Sequence, residues 1–574
     1  IVRRRVPDNA SAMDGNLHPL LVRLYAARNV RSTDELDYRL ARLHSPFLLR
    51  DMQKAVELLH VAIRERQRIL VIGDFDVDGA TSSALVVAAL RDMGATDVDY
   101  LVPNRFEYGY GLTPAIVAVA AGRNPRLIVT VDNGISSIDG VQAARDLGIK
   151  VLVTDHHLPG KILPGADAVV NPNQPGDCFP GKCLAGVGVA FYLMMALRMY
   201  LRDQGWFTAN AIGEPNLASY LDLVALGTVA DLVPLEPLNR ILIEQGMKRI
   251  QAGRHRLGIG AILETAGCRP DRVVASDLGF AVGPRLNAAG RLDDMSIGIA
   301  CLLSEQPAHA RLLAEQLDGM NRERKEIESA MKVQAYSLVN ELQLEEACLP
   351  RGLCLYDADW HQGVVGIVAS RVKDKFHRPV IAFAQCGSGM IKGSGRSVRG
   401  LHMRDALESI ATRKPGLIEC FGGHAMAVGL SITEENFDTF REAFEQELFS
   451  RLDPAMLAGT IETDGRLEPQ DFRLEIAELL RNCGPWGQGF PEPRFDGDFT
   501  VLSQRVLGGK HLKLVVRPLG SSDRLDAVAF YQAQDHGDLA GANVRLVFSL
   551  DSNEYRGAIS LQLRVEYIER LRVC

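Results

Sequence analysis

Short apolar runs that each end on an acid, and each give way to a helical pattern, constrain this chain more than any other feature. Residues 69–72, 127–131 and 151–153 are apolar and β-prone, and they lead into Asp74-Phe75-Asp76-Val77-Asp78-Gly79, Asp132-Asn133-Gly134 and Asp155-His156-His157. Helical patterns at 81–93, 114–121 and 138–147 lie between them, with a further strand at 98–102. Strands alternating with helices require crossover connections, which build a parallel, doubly wound sheet covered on both faces. Such sheets bind ligands outside the carboxyl ends of their strands. All three acidic clusters fall there, which randomly scattered acids would not do.

A chain of 574 residues is too long for one ordinary domain. The pattern divides it into an N-terminal extension (1–45), an α/β domain carrying the acidic clusters (46–305), a connecting helix (306–345), a second α/β domain (346–450) and a strand-rich domain (455–574). Apolar helices are expected at 186–200 and 217–230, the second delivering Asp231. The connecting helix carries the charged run Arg322-Glu323-Arg324-Lys325-Glu326. After Pro454 come short alternating strands at 499–502, 511–516, 526–530, 544–550 and 559–565, the size of an OB-like barrel.

Composition excludes some classes. No apolar run reaches the roughly 18 residues of a membrane span. The basic Ile1-Val2-Arg3-Arg4-Arg5 is followed by no apolar core, so a cytoplasmic location is expected rather than export. The ten cysteines include no C-x-x-C pair, which predicts buried reduced thiols rather than zinc ligands or disulfides. A net charge of −7 argues against a nucleic-acid binder on average. Yet residues 361–415 hold ten Lys/Arg against three acids, which fits either a localised polyanion track or an ordinary solvated face.

Hard carboxylate oxygens with an imidazole suit Mg²⁺ or Mn²⁺. Aspartates at alternate positions, closed by Gly79, can turn several carboxylates toward one point where a strand tightens into a helix. One of the three can serve instead as a helix N-cap; capping does not need three. Asp132-Asn133-Gly134 alone reads as a turn, but at a strand tip it holds a carboxylate in place. Adjacent His156 and His157 cannot both enter one site from a regular strand, so one is expected on metal and the other on substrate, with Asp155 orienting an imidazole. Two ions roughly 3.5–4 Å apart can activate water and neutralise a phosphodiester.

In this order and spacing the three clusters resemble the DHH phosphoesterase superfamily. Ser394-Gly395-Arg396-Ser397 and Gly422-Gly423-His424 look like its DHHA1 domain. Matches at Gly227-Thr228-Val229-Ala230-Asp231, at residues 283–291 and at Pro485-Trp486-Gly487-Gln488-Gly489 extend the resemblance over roughly residues 45–574. They point to the superfamily's single-strand-specific 5′→3′ DNA exonucleases, acting in repair and recombination. The resemblance implies two ions, Mn²⁺ or Mg²⁺, one held by Asp76 and Asp132 and the other by Asp78, Asp132, His156 and Asp231. Asp74 would be a further ligand or a hydrogen-bond partner, and His157 would contact the scissile phosphate. Where some members have a metal-binding histidine, this chain has Ile72. Ser394, Arg396 and Arg105 would form a 5′-phosphate pocket, with Arg285, Asn287, Gly423 and His424 as further contacts. The C-terminal barrel would bind single-stranded DNA by stacking, with Phe530, Tyr531, Tyr555 and Arg556 as candidates. A monomer partnered by single-strand-binding protein and a RecQ-type helicase is implied from the same source. Other readings are a superfamily enzyme acting on small phosphoesters, oligoribonucleotides or cyclic dinucleotides, and a binding scaffold without catalysis. The strand-rich C-terminus counts against the first and the intact acidic clusters against the second.

Overall fold

The computed structural model describes residues 1–7, 17–104, 107–346, 349–387, 389–555 and 557–571. They form two compact units, one of residues 1–290, 294–317 and 461–574, the other of residues 291–293 and 318–460.

The first unit is built on the expected parallel sheet. Strand Ile69–Gly73 is buried along its whole length, as is Leu127–Val131, because apolar side chains on both faces meet covering helices. The strand order is Val98–Leu101, Ile69–Gly73, Leu127–Val131, Lys150–Thr154, Ala168–Val170, all parallel. From Ile69–Gly73 the chain crosses to one side, then returns to Leu127–Val131 on the other. The gap between these two strands is thus the topological switch point, where ligands of open α/β sheets bind. Register pairs Gly73 with Val131 and Val131 with Thr154. Asp74, Asp132 and Asp155 therefore leave three neighbouring strands side by side.

The helix expected from residue 81 begins instead at Val77 and runs to Asp92. Asp76 accounts for the difference: its Oδ1 accepts the Gly79 N–H at 3.0 Å and caps the helix. Asp78 therefore projects from the first helical turn, not from a strand end. The expected helix at 217–230 starts as a 3₁₀ turn, Leu217–Tyr220, before helix Leu221–Ala230. Helix Gly186–Asp203 extends three residues beyond its expected end.

Five strands close the C-terminal barrel in the order Phe495–Leu507, His511–Pro518, Leu525–Ala529, Ala558–Arg570, Asn543–Tyr555. Four are longer than the alternation suggested, Leu525–Ala529 being shifted by one residue at the expected length, and register shifts at Val501/Ser503 and Val547/Phe548 help bend the strands into a ring. The N-terminal residues belong with this end of the unit. Val2–Arg3 pairs in parallel with Glu462–Thr463, and Tyr25 stacks on Trp486 and Phe490.

In the second unit a mixed sheet runs Cys420–Gly423, Ala427–Thr433, Met390–Arg396, Val380–Gln385, Leu353–Tyr356. Helix Pro307–Glu346 starts in the first unit and from Asp318 belongs to the second, where Met331, Ala335 and Val339 enter the core beneath Leu353 and Leu355. Part of the basic stretch is consumed by structure: Arg371 pairs with Glu328, Arg413 with Glu447 and Lys373 with Asp374. The cysteines are only partly as expected. Cys301 and Cys354 are buried, whereas Cys178, Cys386 and Cys420 are exposed, and the described cysteines are all free thiols. No helix among the described residues is long and apolar enough to cross a membrane.

One buried ion pair ties residues far apart in the chain. Arg28 donates through Nη1 and Nη2 to Asp464 Oδ1 and Oδ2, both at 3.0 Å, and each side chain is 1% exposed. Asp464 also receives Arg4 at 3.1 Å. Replacing Asp464 by alanine strands a buried guanidinium and should destabilise the protein by about 3–5 kcal/mol. Urea unfolding measures this, and a loss under about 1 kcal/mol would show the pair to be dispensable.

Candidate metal centre

The switch point gathers the acids. Asp132 leaves the tip of Leu127–Val131 in a left-handed conformation, φ 61°, which costs a non-glycine residue about 1–2 kcal/mol. Asn133 holds that turn: its Nδ2 donates to Ile72 O at 3.1 Å and Val131 O at 2.9 Å, binding both strand ends. Asp78 is fixed by the start of helix Gly186–Asp203, whose Gly186 and Val187 N–H groups donate to its two oxygens at 2.6 and 2.8 Å. Asp231 comes from the last turn of helix Leu221–Ala230. Two glycines make room. A Cβ on Gly186 would sit 2.7 Å from the Asp132 Cβ, and one on Gly227 2.9 Å from Asp78 Oδ1.

His156 joins these groups: Nε2 lies 3.2 Å from Asp132 Oδ1, 3.5 Å from Asp231 Oδ2 and 4.0 Å from Asp78 Oδ2. Donor atoms gather within 4.8 Å of one another in two separate sets, Asp78–His156–Asp231 and Asp74–Asp76–Asp132, and a third set, Asp132–His156–His157, links them through His156 and Asp132. Asp74 thus stands with Asp76 and Asp132, while its Oδ1 accepts the Phe75 N–H at 2.8 Å. Ile72, where some superfamily members have a histidine, is fully buried in the core.

Asp155 does not face this group. Its Oδ1 accepts His157 Nδ1 at 2.7 Å and its Oδ2 accepts the Ile135 N–H at 2.9 Å. Burial alone would raise its carboxyl, but His157's hydrogen bond and charge outweigh this and hold it below the usual carboxylate range. In return, and against the opposing effect of burial, Asp155 raises the His157 imidazole to about 9. His157 is therefore a cation at neutral pH in the metal-free protein. Tyr110, which the sequence reading passed over, touches His157 with its hydroxyl at 3.3 Å from Nδ1 and reaches Asp132 O at the same distance. No short motif marks Tyr110, and no spacing rule links residues 186–187 to Asp78. Both contacts arise only in the folded chain.

The remaining candidates fall into two groups. Arg285 and Asn287 lie on helix Gly283–Leu292, with Arg285 Nη1 donating to Ala281 O at 2.7 Å. In the second unit Ser394 and Arg396 lie on strand Met390–Arg396 and Gly423 on Cys420–Gly423, with Ala427–Thr433 between them, and His424 follows Gly423, its N–H donating to Ala427 O. Arg396 Nη1 donates to Ser394 Oγ at 3.0 Å. Arg105 lies outside the described residues.

The donor set tests well for a divalent cation. Asp132 Oδ1 and Asp231 Oδ2 are buried without a hydrogen-bond partner, a costly condition that an ion would relieve. Burial and the Asp76 charge push Asp78 up to about 7. Burial and neighbouring carboxylates also drive Asp132 and Asp231 well above their usual range. Oxygens plus one imidazole match Mg²⁺ or Mn²⁺.

Comparison with known proteins gives a consistent result. The model of the DHH family, N-terminal domain, matches residues 68–228, that of the DHHA1 domain residues 349–449 and that of the RecJ OB domain residues 463–567. The chain is 55% identical over 568 residues to the single-stranded-DNA-specific exonuclease RecJ of Escherichia coli (strain K12), covering 99% of this chain and 98% of that one. It is 32% identical over 544 residues to RecJ of Thermus thermophilus, covering 94% and 73%. The crystal structure of Thermus thermophilus RecJ in complex with Mn²⁺ superimposes with a TM-score of 0.78 at 30% identity, covering 99% of this chain and 78% of that one. Another structure of that enzyme contains Mg²⁺, with a TM-score of 0.73 at 28% identity and coverage of 99% and 77%.

A metal-stability linkage follows. Carboxyls raised in the folded state bind protons that the unfolded chain, with values near 3.9, has already released. The metal-free protein should therefore lose stability as pH rises from about 4 to 7. Mn²⁺ competes with those protons, so its rise in Tm should be larger at pH ~8 than at pH ~5.5. Calorimetry with and without chelator reads the difference; equal shifts would contradict the assignment of the raised carboxyls as ligands.

Proposed function

The chain belongs to the RecJ family of single-stranded-DNA-specific exonucleases, and on that premise we propose that it degrades single-stranded DNA from the 5′ end to 5′-mononucleotides with two divalent ions. It is a metal-dependent exonuclease of repair and recombination. The observation that carries the two-ion reading is the pair of separate donor sets at the switch point, linked by a third through Asp132 and His156. Asp74, Asp76 and Asp132 would hold one ion, and Asp78, His156 and Asp231 the other, with Asp132 between them. Bound ions would supply charge neutralisation at the phosphate and a nucleophile from water at neutral pH.

The chain's own groups do the rest. His157, charged and fixed by Asp155, can donate to a non-bridging phosphate oxygen as negative charge grows there. Asp78 holds its position through two backbone N–H groups rather than through flexible side chains, so it needs little reorganisation during the reaction.

Polarity needs a recogniser of the chain end. Ser394 Oγ and the Arg396 guanidinium lie against Gly366, where a Cβ would come within 2.9 Å of both. Gly366 is in the first turn of helix Val365–Phe376, so a hydroxyl, a guanidinium and a helix N-terminus converge. Together they suit a terminal phosphate. The matched stretches fall within our domain divisions of 46–305, 346–450 and 455–574. In the barrel, Tyr531 is 75% exposed and Phe530 49% exposed, as bases stacking on them would need. Arg556 and the Tyr555 side chain lie outside the described residues. An enzyme confined to single strands depends on proteins that open and hold them, which supports pairing this monomer with a helicase and a single-strand-binding protein in the cytoplasm.

Two experiments test this reading. Asp132→Ala should abolish Mn²⁺-dependent release of nucleotides, whereas His157→Gln should lower kcat by roughly 10²–10³ with little change in KM. Full activity in either variant would refute its assigned role. Arg396→Ala should cut kcat/KM on 5′-phosphorylated DNA by about tenfold to a hundredfold and leave a 5′-hydroxyl substrate nearly unaffected. Equal losses on both substrates, or digestion from the 3′ end, would overturn the polarity claim.

A further inference from the structure

A second, basic site lies in the first unit, away from the acids. A cavity of about 390 Å³ is lined by Arg91, Asp92, Tyr220, Arg249, Arg254 and Arg256, with His255 and Glu305 at its edge. It stands at the far ends of the two helices that carry Asp78 and Asp231. Asp92 ends the helix that Asp78 begins, roughly 21 Å along its axis, and Tyr220 precedes the helix that leads to Asp231. The cavity is therefore separate from the metal centre.

Four guanidiniums meeting at one hollow in a chain of net charge −7 repel one another unless anions face them. The local carboxylates are already engaged by other donors. Asp92 accepts the Tyr220 hydroxyl, and buried Asp222, behind the cavity, accepts the Leu223 and Arg256 N–H groups at 2.8 and 2.7 Å. Arg249 and Arg256 also contribute charge toward Asp222, but that carboxylate is only one against several cations. Glu305 is exposed at the rim. Arg256 is held over the Tyr220 ring at 4.7 Å, and Arg91 donates to Val98 O at 3.0 Å. Even so, Arg249 Nε and Arg256 Nε are buried with no hydrogen-bond partner. Buried donors of this kind call for an acceptor.

We infer that this cavity binds a small phosphate-bearing anion. Several guanidinium forks brought together from two helices and the connection after one of them need more acceptor oxygens than one carboxylate offers, and a phosphoryl group supplies them. The volume falls in the range of small-ligand sites. The group could come from free phosphate or pyrophosphate, or from the 5′-phosphate of a mononucleotide. The inference does not depend on the catalytic reading, since no residue is shared.

Calorimetric titration of the full chain carrying Arg396→Ala, which disables the proposed end pocket, and stripped of metal on a chelating resin, with pyrophosphate and separately with dAMP tests it; Tm and exonuclease rate are read without that substitution. Without metal, the acidic centre repels both probes. One saturable site per chain is expected, weakened by about tenfold or more in Arg249→Gln/Arg254→Gln and unchanged in Asp132→Asn. Tighter dAMP binding assigns a nucleotide, and tighter pyrophosphate binding assigns a free phosphate; either sustains the site. The double variant should keep its Tm and exonuclease rate. If it does not fold, Arg254→Gln alone, at an exposed position, takes its place. No saturable binding up to about 5 mM, or binding that survives these variants, overturns the inference.

Discussion

The burial of several carboxylates at one point is the constraint on which the rest of the first unit depends. Asp78 and Asp132 are almost entirely enclosed, and each raises the cost of ionising the other. No arrangement of apolar residues tolerates this alone. The fold meets some of these acids with backbone, the Gly186 and Val187 N–H groups at Asp78 and the Gly79 N–H at Asp76, while the Asn133 side chain pins the turn that carries Asp132. What the backbone leaves unsatisfied, at Asp132 Oδ1 and Asp231 Oδ2, is what a divalent ion completes.

The switch point explains why these acids come together. Opposite crossover directions after neighbouring parallel strands open a crevice, and Asp74 and Asp132 stand on its two lips. Helices Gly186–Asp203 and Leu221–Ala230 close it from below, with glycines where side chains would collide with the carboxylates. A substitution in either helix can therefore disturb the centre without changing a single charged residue. The proposed end pocket is built differently, from a hydroxyl and a guanidinium on strand Met390–Arg396 beside a helix start in the second unit. The acidic centre and the proposed end pocket thus rest on separate cores of one chain.

Much of this was legible beforehand because apolar period and turn chemistry are local. The strand at 127–131 proved identical, that at 69–72 one residue longer and that at 151–153 longer by one residue at each end, and helix Pro114–Ala121 fell as expected. The misplaced helix start at residue 81 shows the limit. Asp76 could be read as a ligand or as a cap, and in the fold it caps while standing among the acids. The basic stretch 361–415 shows another limit, since charge counts do not reveal that Glu328 and Glu447 neutralise part of it. Nor did the run Arg249–Arg256 attract notice, because its partners Arg91 and Tyr220 arrive from distant helices.

By itself, the sequence determined the parallel sheet and the acidic clusters that follow its strands, because side-chain type and period are properties of neighbouring positions. Only the tertiary structure decided which histidine faces the acids and which is charged by Asp155. It also decided that Asp74 groups with Asp76 and Asp132, and that Tyr110 and the Gly186 helix start complete the surroundings. Those choices depend on distances between residues tens of positions apart, and electrostatic energy is set by distance and burial rather than by order along the chain.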